Sequence, residues 1–279
     1  MVLLRVFQSL MHLINKMGKM KTIQHLAIYA LLCMTALKIN AQNFELGFRY
    51  EPEFSALMNK NDADEGPTLN YASHFTYLNF GIGGVYNINQ NMGLAVDMLF
   101  SREGQNFTGN FAAGPSDPAT YSSVVRTQAY LNNLIIPGAY ICKAELNFIK
   151  VPIMFSLVTD NSKPFFFTLL VGPQINFLYN VAQEVNHIDR DYPNSNITPF
   201  GLYKPVTFDG VIAVGAGYNL TSRLVLSARL RFDYGFEDVE NKDVMVSYYG
   251  AAPVAFYSPD RQATHNATAG LQIGVDYKL

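Results

Sequence analysis

The sequence predicts an all-β fold, a transmembrane antiparallel up-and-down β-barrel of about eight strands with long extracellular loops. Three observations carry that prediction. The first is a two-residue period, clearest in Arg223–Tyr234, which reads R-L-V-L-S-A-R-L-R-F-D-Y. Leu224, Leu226, Ala228, Leu230, Phe232 and Tyr234 share one face of an extended strand, and Val225, Ser227, Arg229, Arg231 and Asp233 share the other. A helix would scatter those arginines around its circumference. The second is composition: 49% of the residues are hydrophobic and only 15% charged, against about a quarter in soluble domains. No apolar run of about 20 residues follows Gln42, which excludes an ordinary transmembrane helix there. The third is that long and short connections alternate along the chain, as they do in outer-membrane barrels.

The remaining bounds are quickly set. A net charge of −2 offers no basic patch for nucleic acid. Cys33 lies in the N-terminal apolar segment, so Cys142 stands alone in the mature chain and a disulfide-stapled fold is excluded. Lys19 and Lys21, the apolar stretch Leu26–Leu37 and the small Ala41 before Gln42 match a secretory signal peptide over residues 1–41. Met20 offers an alternative start, which would make residues 1–19 an upstream extension. A lipid anchor on Cys33 is rejected because Leu32 is bulky where such sites need a small residue. The barrel domain is then 42–279.

Past Gln42 the elements follow in order. Phe44, Leu46, Phe48 and Tyr50 alternate with Glu45, Gly47, Arg49 and Glu51 in a first strand. A polar loop with N-K-N-D-A-D-E-G-P follows, ending near Ser73. The second strand covers about Phe75–Ile88, and a tight turn at Asn87–Asn91 leads to a third in which Leu94, Val96, Met98 and Phe100 share one face. From Gly104 to about Tyr140 the residues read as a loop. The fourth strand spans about Ile141–Val158, and its Pro152 predicts a bulge or an unpaired position. The turn T-D-N-S-K-P leads to a fifth strand, Phe165–Tyr179. A loop over about Val181–Lys204 precedes the sixth strand (about Thr207–Leu220). Asn219–Ser222 turns into the seventh strand, Arg223–Tyr234. A loop from Glu237 to about Thr264 precedes the last strand, where Leu271, Ile273, Val275, Tyr277 and Leu279 share a face. Both termini then fall on the periplasmic side, in line with short periplasmic turns.

Alternation alone does not say which face is outside, and a lipocalin-like soluble barrel shares it. The second face here is small residues with scattered charges of both signs, without the Lys and Glu density of a water-facing surface. Small residues suit a narrow lumen filled by side chains, so the apolar face is assigned to lipid. Tryptophan is absent, and the 20 Phe and 17 Tyr can supply the interfacial girdles.

Two stretches resemble recurrent strands of the PorT-like outer membrane β-barrel proteins of Bacteroidetes. They are Leu94–Gly104 (L-A-V-D-M-L-F-S-R-E-G), against a family strand ending Y/F-S-x-x-G, and Leu146–Leu157 (L-N-F-I-K-V-P-I-M-F-S-L), against Y-L-x-I-P-L-L-L. P-F-F-F-T-L-L-V-G-P, G-A-G-Y and the closing G-V-D-Y-K-L are similar as well. Phe148, Ile149 and Lys150 before Val151-Pro152 depart from the usual spacing. The resemblance spans the mature chain, and it implies an outer membrane location and, for some relatives, a part in protein secretion.

Glu45, Arg49, Glu51, Asp97, Glu145, Arg229, Arg231, Asp233 and Asp276 are expected to point into the lumen as a structural charge network, since an isolated buried charge costs several kcal/mol. A barrel of about eight strands is just wide enough for side chains to fill, which disfavours a small-solute pore. His187, Asp189, Arg190 and Asp191 crowd one loop without a spaced second histidine, and Asp62, Asp64 and Glu65 make an incomplete calcium loop. Neither set calls for a metal, and nothing calls for a cofactor. Arg102, Arg126, Arg190 and Arg261 near the extracellular strand ends could hold lipopolysaccharide phosphates. His74 and His265, with Ser73 or Ser258, are the residues a lipid-modifying enzyme would need at the lipid interface. The expectation is an integral barrel of the cell outer membrane without catalysis. Its structural, interaction or secretion-associated role would be carried by loops and turns. Its partners would be outer membrane lipid, lipopolysaccharide and envelope or secretion proteins.

Overall fold

The computed structural model describes residues 43–64, 69–110, 122, 139–185, 188–189, 198–247 and 252–279. The targeting segment 1–41, Cys33, Glu65, Arg126, His187, Arg190 and Asp191 lie outside the described residues, as does the side chain of Cys142. In chain order the strands are β1 (Phe44–Tyr50), β2 (Glu53–Asn59), β3 (Leu69–Thr76), β4 (Phe80–Asn87), β5 (Met92–Asn110), β6 (Ala139–Val158) and β7 (Phe165–Val185). Then come β8 (Ile188–Asp189), β9 (Val206–Asn219), β10 (Leu224–Gly235), β11 (Met245–Val246), β12 (Val254–Ala255) and β13 (Thr264–Lys278). One helix, α1 (Lys60–Asp64), follows β2, and a 3-10 turn covers Pro199–Leu202.

β1 with β2, and β3 with β4, each make one span of the wall. With β5, β6, β7, β9, β10 and β13 they form a closed antiparallel ring of 8 spans. Each span pairs with its neighbours in sequence, and the ring closes where β1 meets β13, from Glu45↔Lys278 to Tyr50↔Ile273. Closure leaves no sheet edge along this seam, which is how such a wall avoids unpaired backbone groups in hydrocarbon.

The two broken spans break side by side. Pro52 has no N–H to give the ladder, and the neighbouring span is interrupted over Tyr77–Asn79. Asn79 mends both gaps: its carbonyl accepts the Glu51 N–H at 2.9 Å and its side-chain oxygen accepts the Arg102 N–H at 2.8 Å. Pro152 acts as expected on the β5 side, where the register skips from Val96↔Ile153 to Leu99↔Lys150. The bulge lies elsewhere, between Asn147↔Asn180 and Phe148↔Leu178, so Tyr179 is the extra residue.

The outer face is an apolar belt. Leu46, Phe48, Ile82, Val96, Phe100, Phe155, Phe167, Val214, Leu230, Phe232 and Ile273 are all exposed, Ile82 and Phe167 to 59%. On β5 the belt runs from Met92 to Phe100 and gives way to Arg102, about the length a tilted strand needs to cross hydrocarbon. The chain turns tightly at Asn87–Met92, Asp160–Lys163 and Thr221–Leu224, the end where β1 begins and β13 finishes. At the other end β5, β6 and β7 overshoot the belt, reaching Asn110, Ala139 and Val185. The upper stretches of β5 and β7 were expected to be loop, whereas β6 was expected as strand from about Ile141 and gains only Ala139 and Tyr140. β10 stops at Gly235, so the wall is taller on one side.

Candidate functional site

Inside the ring, charged side chains from several strands converge in two clusters. Near the short-turn end, Arg49 reaches from β1 to Asp276 of β13, Nη1 to Oδ1 at 2.6 Å, and to Asp97 of β5, Nε to Oδ1 at 3.4 Å. Glycines make room for it: a Cβ at Gly83 would collide with the Asp97 carboxylate, and one at Gly47 with Asp276. Arg229 donates to Gln272 at 3.2 Å and lies in electrostatic reach of Arg49, Asp276, Asp97 and Glu45. Glu45 accepts from Asn87 at 2.8 Å.

Further up, Arg231 is gripped by Asp233 at 2.8 and 3.1 Å, by Glu51 at 3.3 Å and by Gln174. Lys150 of β6 pairs with Asp233 at 3.0 Å and with Glu103. Ser101 bridges Glu53 and Glu103 at 2.9 and 2.8 Å, and Gln174 adds Asp209 at 3.1 Å. Every member is buried. A smaller apolar group, Val85, Ala95, Met154, Leu170, Val211 and Ala213, packs together on the inner face as well.

The structure thus brings together Glu45, Arg49, Asp97, Arg229 and Asp276 in one cluster and Glu51, Arg231 and Asp233 in the other. Glu145 is corrected. It stands in register with Gly104 and binds Arg102 at 3.1 Å and Lys143 at 2.9 Å, in the row of the exposed Arg102. β6 has left the belt at that height, so an outward carboxylate meets no lipid. Lys150, Glu53, Glu103, Asp209 and Gln174 were not anticipated. Parity supplied the missing signal for Lys150: Val151, Ile153, Phe155 and Leu157 face lipid, which turns Lys150, Pro152, Met154 and Ser156 inward.

Above the charges the lumen is capped. The inner face of the overshooting strands offers Phe107, Ala144, Leu146, Phe148 and Leu178, and the loops lay Leu202, Tyr203, Val239, Val246, Phe256 and Tyr257 against them. Backbone bonds tie the two loops, Lys204 N–H to Val239 O at 2.9 Å and Asn241 N–H to Leu202 O at 2.8 Å. Arg261 pins the cap. It binds Asp238 at 2.7 Å and Glu240 at 2.5 Å and lies 4.4 Å over the Tyr257 ring. Its side chain is 2% exposed, so it is a cap residue and not a free grip for phosphate; of the four arginines considered for that task, Arg102 is exposed but paired.

The other candidates are placed as follows. Asp62 and Asp64 of the incomplete calcium loop lie in α1 instead: Asn59 caps it, accepting the Asn61 N–H at 2.9 Å, with Asp62 buried and Asp64 exposed. Burial pushes the Asp62 carboxyl up to about 7, although the Ser122 N–H donates to it at 3.0 Å. No group of three or more His, Cys, Asp or Glu able to hold a metal occurs among the described residues. Ser73 and His265 line one cavity, but His265 uses Nδ1–H on the Gly235 carbonyl at 3.0 Å. Ser258 sits in a turn with Asp260, and His74 is buried. No nucleophile–base hydrogen bond joins these residues.

A closed ring with a lipid-facing belt and a polar interior is the geometry against which known proteins can be compared. The sequence model of the outer membrane protein beta-barrel domain family matches residues 40–241. The chain belongs to that family. As an outer membrane β-barrel protein it is structurally similar to Neisserial surface protein A (TM-score 0.41, 12% identity, 85% of this chain and 97% of that one). It is similar too to OprG of Pseudomonas aeruginosa (TM-score 0.43, 8% identity, 85% and 95%). The outer membrane protease OmpT of Escherichia coli aligns with TM-score 0.39 at 10% identity over 87% and 99%. No curated protein sequence matches the chain.

Proposed function

We propose that this outer membrane β-barrel protein works without catalysis, as an interaction or assembly platform. On this reading its capped long-loop end faces the outside and its termini lie in the periplasm. A secretion-associated role of the PorT-like kind is the finer form of this proposal. The observation that carries it is the filled interior. Ion pairs occupy the lumen from Arg49 to Lys150, and an apolar cap lies over them. That arrangement gives a solute no continuous water path and leaves the loops as the surface that can meet a partner. Phe200, Met245 and Val254 are large apolar side chains exposed on that cap, a surface suited to a protein partner.

The test is affinity purification of the tagged protein from detergent-solubilised outer membranes, with Phe200→Ser, Met245→Ser and Val254→Ser combined as the comparison. The expected result is a specific co-purifying envelope protein that the triple variant loses while its barrel remains heat-modifiable on gels. An identical set of proteins with both forms would sink the platform reading. A steady open conductance in planar bilayers would replace it with a pore, and altered membrane lipid in the deletion strain would replace it with an enzyme.

A further inference from the structure

The wall is not closed at every height. β2 and β3 pair only from Glu53↔Thr76 to Ser55↔His74. Above that, β2 continues along β13 as far as Asn59↔Thr264, while β3 follows β5 from Ser73↔Gln105 to Leu69↔Gly109. Side chains fill the rungs that the parted strands leave. Gln105 Oε1 accepts the Leu57 N–H at 3.0 Å, and Ser55 Oγ accepts the Gly104 N–H at 2.8 Å.

A cavity of about 600 Å³ lies at this parting, within the range of small-molecule sites, roughly 300–1,000 Å³. Ala56, Met58, Tyr234 and His265 line it from the outer face, and Leu57 and Gln105 from the inner. One cavity touches both faces of a sheet only where its strands separate. The outer lining continues the lipid belt: Met58 and Tyr234 are exposed beside Phe54 and Phe236. The His265 ring, held by its bond to Gly235, stacks on Tyr234 with centroids 5.8 Å apart and makes a flat apolar side. The far lining is polar. Asn59 is fully occupied, capping α1 and binding Gln262 and Thr264. Asp62 is 2% exposed; its Oδ1 accepts the Ser122 N–H, and the Ser122 hydroxyl lies close enough to act on the carboxyl electrostatically, whereas Oδ2 is buried with no donor at hydrogen-bond geometry. A buried acceptor left open beside a cavity is costly unless something donates to it.

We propose that this parting is a lateral binding site for an alkyl chain carrying a primary ammonium or hydroxyl head. The chain lies on Met58, Ala56, Leu57 and Tyr234, and the head donates to Asp62 Oδ2. At pH 8, the pH of the binding test, Asp62 is ionised, so a carboxylate head would meet a like charge, and a quaternary ammonium would have no proton to give. The exposed Lys60 at the rim leaves room for a phosphate behind the ammonium, so a membrane lipid and a free amphiphile share the required chemistry.

The experiment uses the full-length mature protein in phosphatidylcholine nanodiscs at pH 8 and reads radiolabelled dodecylamine retained above empty discs. Dodecyltrimethylammonium and dodecanoate serve as competitors. Dodecylamine is expected to compete at least tenfold better than either. Ala56→Trp, which fills the cleft from outside, is expected to abolish retention. Asp62→Asn, which keeps an oxygen for the Ser122 N–H, is expected to remove the preference for the primary amine while keeping chain binding. Displacement by lysophosphatidylethanolamine assigns the site to a lipid, and failure of that displacement assigns it to a free amphiphile. Equal retention by the wild type and Ala56→Trp, with both folded, overturns the proposal. So does an unchanged head preference in Asp62→Asn.

Discussion

Arg231 shows what a single buried charge does in this lumen. Its guanidinium satisfies Asp233, Glu51 and Gln174 together, and removing it leaves Glu51 without its ion-pair partner and Asp233 with Lys150 alone. Breaking a buried pair costs about 3–5 kcal/mol, whereas an exposed pair contributes about 0–1 kcal/mol. Urea unfolding in lipid bilayers should therefore place Arg231→Met far below the wild type and Arg102→Ala close to it; similar losses in both would mean that the lumen charges are not a network. Asp62 adds a pH dependence. Its carboxyl ordinarily titrates at 3.8 and is raised to about 7 in the folded protein. The folded state thus holds a proton that the unfolded chain releases, and stability falls as pH rises between those values, on the order of 2–4 kcal/mol in all. Asp62→Asn should unfold at a higher temperature than the wild type at pH 8, with the gap closing toward pH 4. A gap that stayed constant with pH would refute the assignment.

At the scale of the strand, position on the pleat decides tolerance. Gly83 lies on the inner face against Asp97, and Gly84 on the outer face opposite Val96. Gly83→Val should sharply lower the heat-modifiable folded fraction, and Gly84→Val should leave it nearly unchanged. The cap has its own packed cluster, in which Phe148 is buried, and Phe148→Ala opens a hole worth about 3–5 kcal/mol among residues outside the belt. Limited proteolysis should then cut the loop between β10 and β13 sooner while the ring survives. Strand membership was readable in the sequence because lipid and lumen impose opposite demands on alternate residues. Phe165–Tyr179 and Leu224–Tyr234 could hardly be anything else. The upper halves of β5 and β7 were not readable, and that of β6 was read as strand with its faces assigned the wrong way round at Glu145. There neither face meets lipid, so Glu145 and Arg102 point outward, Leu146 and Phe148 point inward, and the familiar alternation reverses its meaning. The break at Pro52 was hidden for a similar reason, since Glu51 and Glu53 keep the same parity across it. The lateral cavity was invisible because it depends on where two strands stop pairing, which no local pattern records.

For the whole molecule, the family match and the closed ring place the protein in the outer membrane. Its interior is sealed twice, by charge below and by apolar packing above. Purified protein in planar bilayers should show no steady conductance, and deleting the cap between Asp243 and Tyr257 alone should not create one, because the Arg49 and Arg231 clusters remain beneath it. An open channel in the deletion would show that the ion pairs do not block the lumen.

The place where β1 meets β13 ties this design to the order of events during synthesis. Arg49 emerges long before Asp276, and Tyr50 must wait for Ile273 before its backbone is paired on that side. A chain that stops short of Asp276 leaves Arg49 without that partner. The ring therefore cannot close until β13 has been made, and only the arrival of that strand turns a ribbon into a wall.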